Sequence, residues 1–276
     1  MGCILAVGWA CLDYRFYLES WPPTPGRNPA RRFREALGGP AAVACRTVVR
    51  LGGQARLLSR RGDDPLGHRL AALVASEGIV ARWTLGEKTP ISGVLVAPDG
   101  ERYIFPYRGG LPPNPPESWQ SLLNGARAIL ADLRWPEGAL AVLQEAHRLG
   151  IPRVLDLDHL DPTAWELASW SSHIVASAEV LEALGGIEGL AASFPKQFVA
   201  GTRGAKGVVW PGGSLAALPV TPLDTTGAGD AFHGAFTYAL ALGWAEEGAL
   251  RLANVVAGLQ AAKGEPPTWE EVGLWI

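Results

Sequence analysis

The chain has 276 residues, 48% of them hydrophobic, and a formal net charge of −3. That length can bury a substantial core as one large α/β domain or two smaller ones, and the slightly acidic balance argues against a general nucleic-acid binder. No apolar run reaches the roughly 18–20 residues a membrane-crossing helix needs, and Cys3, Cys11 and Cys45 lack metal-ligand spacing and read as small buried residues of a reducing compartment.

The start, Met1-Gly2-Cys3-Ile4-Leu5, has no basic segment before it and runs into a strand-like stretch at Ile4–Val7, so no signal peptide is expected and the expected location is cytoplasmic. The loop Gly8–Asp13 follows. The Asp13 carboxylate can accept two hydroxyl hydrogen bonds from a sugar, with loop capping as the alternative. Tyr14–Phe33 alternates apolar and polar residues around a Pro25-Gly26 turn, as half-buried antiparallel strands do. Gly38-Gly39-Pro40-Ala41-Ala42 opens a helix at Ala41–Leu51. The glycines let backbone approach a polyhydroxy ligand, or simply make a loop that caps the helix. After a strand at Ala55–Leu58, the turn Gly62–Gly67 has the chemistry of a helix cap for Leu66–Ser76. Alternation returns at Pro90–Tyr107, with a turn at Asp99-Gly100. The two alternating segments predict a small sheet inserted in two pieces, about residues 14–36 and 88–108, in a single domain spanning 1–276; the proline-rich Leu111–Pro116 leads back.

Strand-like runs at Ala128–Ala131, Arg153–Leu157, Ile174–Ala176 and Phe198–Ala200 then alternate with helical stretches such as Gly138–Leu149 and Val180–Leu184. Two helices, Gly227–Leu242 and Ala245–Ala262, close the chain. This rhythm predicts parallel strands with crossover helices. Ligands of such sheets bind beyond the carboxyl ends of the strands, where Gly8, Asp13, Gly38, Gly39, Asp132, Arg134 and Asp158 would converge under the small sheet as a lid. Arg134 fits an oxyanion clamp or an ion pair with Asp132 or Asp158. Asp156 and Asp158 share a strand face, so that one of them approaches magnesium or substrate, or both belong to a strand-end loop of solvated acids. No dedicated metal site is predicted. His233 reads as a packed or capping histidine.

The most informative stretch is Asp224-Thr225-Thr226-Gly227-Ala228-Gly229-Asp230-Ala231-Phe232. A turn of small residues entering an apolar helix leaves backbone N–H groups free at a positive helix end, where an anion binds. A carboxylate beside that anion hole supplies what phosphoryl transfer to a hydroxyl needs. Simple caps, with Asp224 at the N-cap and Asp230 in the first turn, are the alternative.

This nonamer resembles the ATP-site signature of the ribokinase-like sugar kinases, the PfkB family. The resemblance implies a three-layer α/β/α fold with a mainly parallel central sheet and a small β-sheet lid. It implies an ATP- and Mg2+-dependent phosphotransferase, with Asp230 as base and Gly227, Ala228 and Gly229 as the anion hole. An ordinary, low carboxyl pKa is expected for Asp230. Substrate residues implied by resemblance are Asp13, Gly38 and Gly39. Nucleotide residues are Thr202, Gly204 and Gly207, in a turn that also reads as a hairpin, with Thr226, Asn254, Ala257 and Gly258. Among family members the motifs are most similar to sulfofructose kinases, whose sulfonate contacts fall here on Arg27 and Arg134; with Arg108 these point to an anionic sugar derivative beside a neutral small sugar.

Departures are specific: Val43 stands where the family has Asn, Pro106 where sulfofructose kinases have Asn, and Ser177 and Val180 where the family has Asn-x-x-Glu. The segment Lys263–Pro267 is shortened, and no monovalent-cation requirement is predicted. Two other readings follow: a sugar- or nucleotide-binding regulatory protein with impaired catalysis, and a nucleoside kinase that stacks a base on Tyr14, Phe16, Tyr103 and Phe105. Expected partners are a small-molecule sugar and ATP, with no nucleic acid and no membrane; the lid edge is a candidate homodimer contact.

Overall fold

The computed structural model describes residues 2–276; Met1, where the reading of the N-terminus began, lies outside the described residues. In chain order come β1 (Cys3–Val7), β2 (Cys11–Leu18), β3 (Ala30–Gly38), α1 (Pro40–Arg50), β4 (Gln54–Gly62), α2 (Pro65–Ser76), β5 (Val80–Gly86), β6 (Ile91–Val96) and β7 (Arg102–Tyr107). Then follow β8 (Ala128–Ala131), α3 (Pro136–Arg148), β9 (Arg153–Leu157), α4 (Pro162–Trp170), β10 (His173–Ala176), α5 (Ala178–Ala183) and α6 (Ile187–Ser193). The last third holds β11 (Phe198–Thr202), β12 (Val208–Trp210), β13 (Gly213–Leu215), α7 (Ala228–Ala241), α8 (Glu246–Lys263) and α9 (Trp269–Val272).

Among the described residues, nine strands form one sheet in the order β13-β12-β11-β10-β9-β8-β1-β4-β5 and four form a second, β3-β2-β6-β7. From β11 to β5 the pairs are parallel; β12 and β13 are antiparallel at one end. Continuous apolar runs such as Cys-Ile-Leu-Ala-Val in β1 and Ala-Ile-Leu-Ala in β8 are buried on both faces, as parallel strands under helices must be. Alternate residues feed two separate cores. Ile4, Ala6 and Leu130 pack with α1, α7 and α8, whereas Leu5, Val7 and Ile129 pack with α3 and α4. The result is the expected three-layer α/β/α arrangement with a mainly parallel sheet and a second, smaller one.

Sheet order reverses at β1, which lies between β8 and β4. The loops after β1, β8 and β9 therefore open onto one crevice at the carboxyl ends. Capping fixes the helices around it. Asp64 accepts the Gly67 amide at 2.7 Å to start α2, and Asp161 does the same for Ala164 in α4, also at 2.7 Å. Helices α4, α6 and α9 and strands β5 and β13 had no counterpart in the sequence reading. β5 is an edge strand, half-exposed along its length, so it lacks the buried apolar run that marks its neighbours.

In the second sheet β2 pairs antiparallel with β3 and parallel with β6, and β6 pairs antiparallel with β7. Register puts Asp13 beside Ser92, and Ser92 beside Pro106, on the face turned to the crevice. Tyr14, Gly93 and Phe105 align one step along, on the opposite face.

Candidate active site

A cleft of about 400 Å³ lies between the carboxyl ends of the large sheet and the inner face of the small one. Its wall includes Trp9, Asp13, Gly39, Arg134, Asp156, Asp158, Thr202, Thr226, Gly227, Gly229 and Asp230. Residues from six separate segments of the sequence reading thus meet in one place.

The turn before α7 makes the cleft's polar end. Gly227 is the N-cap of α7, with φ 77°, which a side-chain-bearing residue adopts only at a cost. The Ala228 amide donates to the Thr225 carbonyl at 3.2 Å and Ala231 to Gly227 at 2.8 Å. Among the described residues, the amides of Gly227, Gly229 and Asp230 donate to no protein acceptor, so the free donors include Gly227 and Gly229 but not Ala228, whose N–H the turn itself consumes. A methyl group added to Gly229 would meet nothing within 4 Å. Packing alone does not call for glycine there; the space in front of it is open.

Asp224 anchors the turn. One carboxylate oxygen accepts the Thr226 amide at 2.9 Å; the other accepts Tyr17 Oη at 2.9 Å and Arg15 Nη1 at 3.3 Å. Burial alone would raise its pKa, but Thr226 and the Arg15 guanidinium hold it below the ordinary carboxylate value. Arg15 and Tyr17 belong to β2, so this cluster ties the small sheet to the turn.

Asp230, in the first turn of α7, stands among other acids. Desolvation, then the charges of Asp156 and Asp132, push its pKa up to about 7 against the opposing pull of His233 and Arg134. The expectation of a low pKa is therefore corrected: spacing in the sequence gave no sign that three carboxyls gather here. His233 is buried, its Nδ1 donates to the Gly229 carbonyl at 2.8 Å, and its Nε2 lies 3.4 Å from Asp156 Oδ1. It braces the anion-hole turn against β9. Asp132 is a structural clamp: it accepts the amides of Trp9 at 2.7 Å, Ala41 at 3.2 Å and Arg134 at 2.8 Å. Burial raises its pKa to about 6 despite those amides.

Asp13, on β2, is joined to the turn through Arg15, which pairs with both Asp13 and Asp224. Its carboxylate is 6% exposed, accepts Arg15 Nη2 at 3.1 Å, and has Cys11 Sγ 3.5 Å away. Burial raises its pKa, with Arg15 opposing. A methyl group on Gly38 would fall 2.0 Å from Asp13 Oδ1, so glycine at 38 is what lets that acid take its position.

Other expected site residues do not join them. Arg27 and Arg108 are exposed and are not part of the cleft wall, while Arg134 lines it but forms a two-pronged pair with Asp158. Gly204 and Gly207 form the turn between β11 and β12; Asn254 donates to the Ala216 carbonyl at 2.7 Å, and Gly258 packs on Leu218, with Ala257 half-buried between them. These nucleotide candidates lie along one edge, outside the wall that holds Asp230. Tyr14, Phe16, Tyr103 and Phe105 sit on the outer face of the small sheet, Phe105 at 61% exposure, and cannot stack a base in the cleft. Ser177 reaches the wall, whereas Val180, in the first turn of α5, is buried in the core with Leu181. Arg15 and Arg102 are wall residues the sequence reading passed over. The signal that could have found them is alternation: both share strand parity with cleft residues, Arg15 with Asp13 and Arg102 with Pro106.

Comparison with known proteins gives a consistent result. Residues 1–268 match the profile of the pfkB family carbohydrate kinases. The chain is 29% identical to the ribokinase of Bacillus subtilis, over 98% of this chain and 97% of that protein. It is 28% identical to a fructokinase of Solanum tuberosum over 74% of this chain and 71% of that one. Among solved structures, a protein of Agrobacterium tumefaciens described as a candidate ribokinase superposes with a TM-score of 0.92 at 32% identity, covering 99% of this chain and 96% of that one. The Arabidopsis thaliana ribokinase complexed with ribose and ATP has the same fold, with a TM-score of 0.82 at 22% identity over 99% of this chain and 98% of that one. No helix among the described residues is long and apolar enough to cross a membrane.

Proposed function

From the premise that this chain belongs to the pfkB family of carbohydrate kinases, phosphotransferases that act on hydroxyl groups, we propose that it transfers the γ-phosphoryl of ATP to a hydroxyl of a small neutral sugar. The observation that carries this reading is the meeting of free amides at Gly227 and Gly229 with the Asp230 carboxyl in one cleft. The amides face charge that grows on the transferring phosphoryl oxygens, and Asp230 takes the proton of the attacking hydroxyl. A carboxyl whose pKa is pushed up to about 7 is a better proton acceptor at neutral pH than an ordinary aspartate. Magnesium, when bound with ATP, would neutralise phosphate charge, and the oxygens of Asp156 and Ser177 on the wall would suit such a hard cation.

Asp13, Gly38 and Gly39 bind the sugar in this reading, where the small sheet meets the start of α1. A neutral sugar is favoured over an anionic one because two of the arginines on the wall are already neutralised, Arg15 by Asp13 and Asp224 and Arg134 by Asp158, and the third, Arg102, rests on the turn at Thr225. The exposed Arg27 and Arg108 add nothing to the wall. Thr202 and Thr226 face the nucleotide phosphates, and Gly204, Gly207, Asn254, Ala257 and Gly258 edge the base. The guanidinium resting on Asp224 supports turnover without an added monovalent cation. Three free buried cysteines support a reducing, cytoplasmic setting. The aromatic outer face of the small sheet, with Phe33 at 54% and Phe105 at 61% exposure, supports pairing with a second copy, which sedimentation would show.

The test is release of ADP from Mg–ATP across a panel of ribose, fructose, other hexoses, sulfonated and phosphorylated sugars, and nucleosides. Sugar-dependent ADP release with a neutral pentose or hexose is expected. Turnover confined to the anionic sugars would overturn the acceptor assignment, and nucleotide binding without turnover on any acceptor would favour a regulatory protein.

A further inference from the structure

Three arginines and no lysine line the cleft: Arg15, Arg102 and Arg134. Two are spent on carboxylates within the protein, Arg15 on Asp13 at 3.1 Å and Asp224 at 3.3 Å, and Arg134 on Asp158. Arg102 is different. Among the described residues it has no carboxylate within 4.0 Å, and its Nη1 donates to the hydroxyl of Thr225. Thr225 lies two residues before Gly227 and four before Gly229, whose amides are unengaged. The uncompensated guanidinium therefore rests at the lip of the anion-binding turn.

Its position follows from the register of the small sheet. Arg102 opposes Val96 and shares a face with Ile104 and Pro106, which also line the cleft, while Tyr103, Phe105 and Tyr107 point the other way. A nucleoside triphosphate brings about four negative charges to a wall whose other arginines are already neutralised. The helix terminus offers only partial charges there. A planar guanidinium beside it can pair with two phosphoryl oxygens at once, and its release from a hydroxyl costs little.

We propose that Arg102 is the phosphate-binding arginine of this site, carried on the small sheet: when nucleotide is present it exchanges Thr225 for oxygens of the terminal phosphate. This deepens the kinase reading of the Asp224–Phe232 turn and rests on it. Because the residue belongs to the second sheet and the amides to the first, both sheets then hold the same phosphate. Contact with the terminal phosphate makes a triphosphate, not a diphosphate, the ligand that draws the two together.

The test is calorimetric titration with Mg2+ and either ADP or the non-hydrolysable β,γ-imido analogue of ATP, using the wild-type protein, Arg102→Gln and Thr225→Val. Arg102→Gln should weaken the triphosphate analogue about tenfold, the usual scale for one charged hydrogen-bonding partner, and ADP by less than about twofold. Thr225→Val should match the wild type with both ligands. An Arg102→Gln protein that binds the analogue as tightly as wild type overturns the inference. So does a Thr225→Val protein that shows the same loss, because Arg102 would then be only a latch on the turn. A wild-type protein that binds neither nucleotide overturns the kinase reading itself, and this inference with it.

Discussion

The two sheets do opposite work with opposite means. Strands of the large sheet are sealed on both faces: Ile4, Leu5, Ala6 and Val7 are all 0% exposed, and Asp132 stitches three backbone amides behind the cleft. In the small sheet β7 is exposed along its whole length, and the polar links from the sheet to the α7 turn are those of Arg15, Tyr17 and Arg102. A platform that cannot relax holds the acids close enough to raise one another's pKa. The small sheet covers them and leaves its outer strand to solvent. In the proposed reading, chemistry belongs to the sealed half and access to the other.

The strongest test of that division is Asp230→Asn. Turnover should fall about 10³–10⁴-fold, on the scale of a lost general base, while ADP affinity stays within twofold. Unfolding midpoints should not drop, because the change removes one of several crowded carboxyls. Next comes the seam between the sheets. Arg15→Gln leaves Asp13 and Asp224 buried without their cation, which should cost about 3–5 kcal/mol in denaturant unfolding. In the platform, Leu5→Ala should cost about 2–5 kcal/mol by opening a void that sealed strands cannot fill. Equal tolerance of Leu5→Ala and of a substitution on β7 would erase the contrast.

A smaller effect lies in pH. Asp230 accepts a proton only when ionised, and its pKa is pushed up to about 7, so kcat/KM should decline as pH falls through about 7. A profile flat down to pH 5 would mean that the acid cluster does not control the base. Smallest of all, Phe105→Ser on the outer face should change monomer stability by less than about 0.5 kcal/mol.

How much of this the sequence discloses depends on how local the determining pattern is. β8 and β9 are legible to the residue because a strand buried on both sides is a short unbroken apolar run. The Asp224–Phe232 turn is legible because its small residues are contiguous. Which aromatic and which arginine face the cleft is less legible. One step of register exchanges Arg15 for Tyr14 and Arg102 for Tyr103, and the phase follows only from knowing that Asp13 and Pro106 face the cleft. The raised pKa of Asp230 is further out of reach, since Asp132 and Asp156 come from different strands and meet it only in space. Edge strand β5 was missed because half-exposure leaves mixed residues such as Arg82, Trp83 and Thr84 without a clear period.

A crystal structure with the β,γ-imido analogue of ATP and Mg2+ tests the central claim most directly. It should place the terminal phosphate within hydrogen-bonding distance of the Gly229 amide, with the Asp230 carboxyl turned into the cleft. Phosphates bound elsewhere, or an Asp230 side chain turned away from the terminal phosphorus, would contradict it.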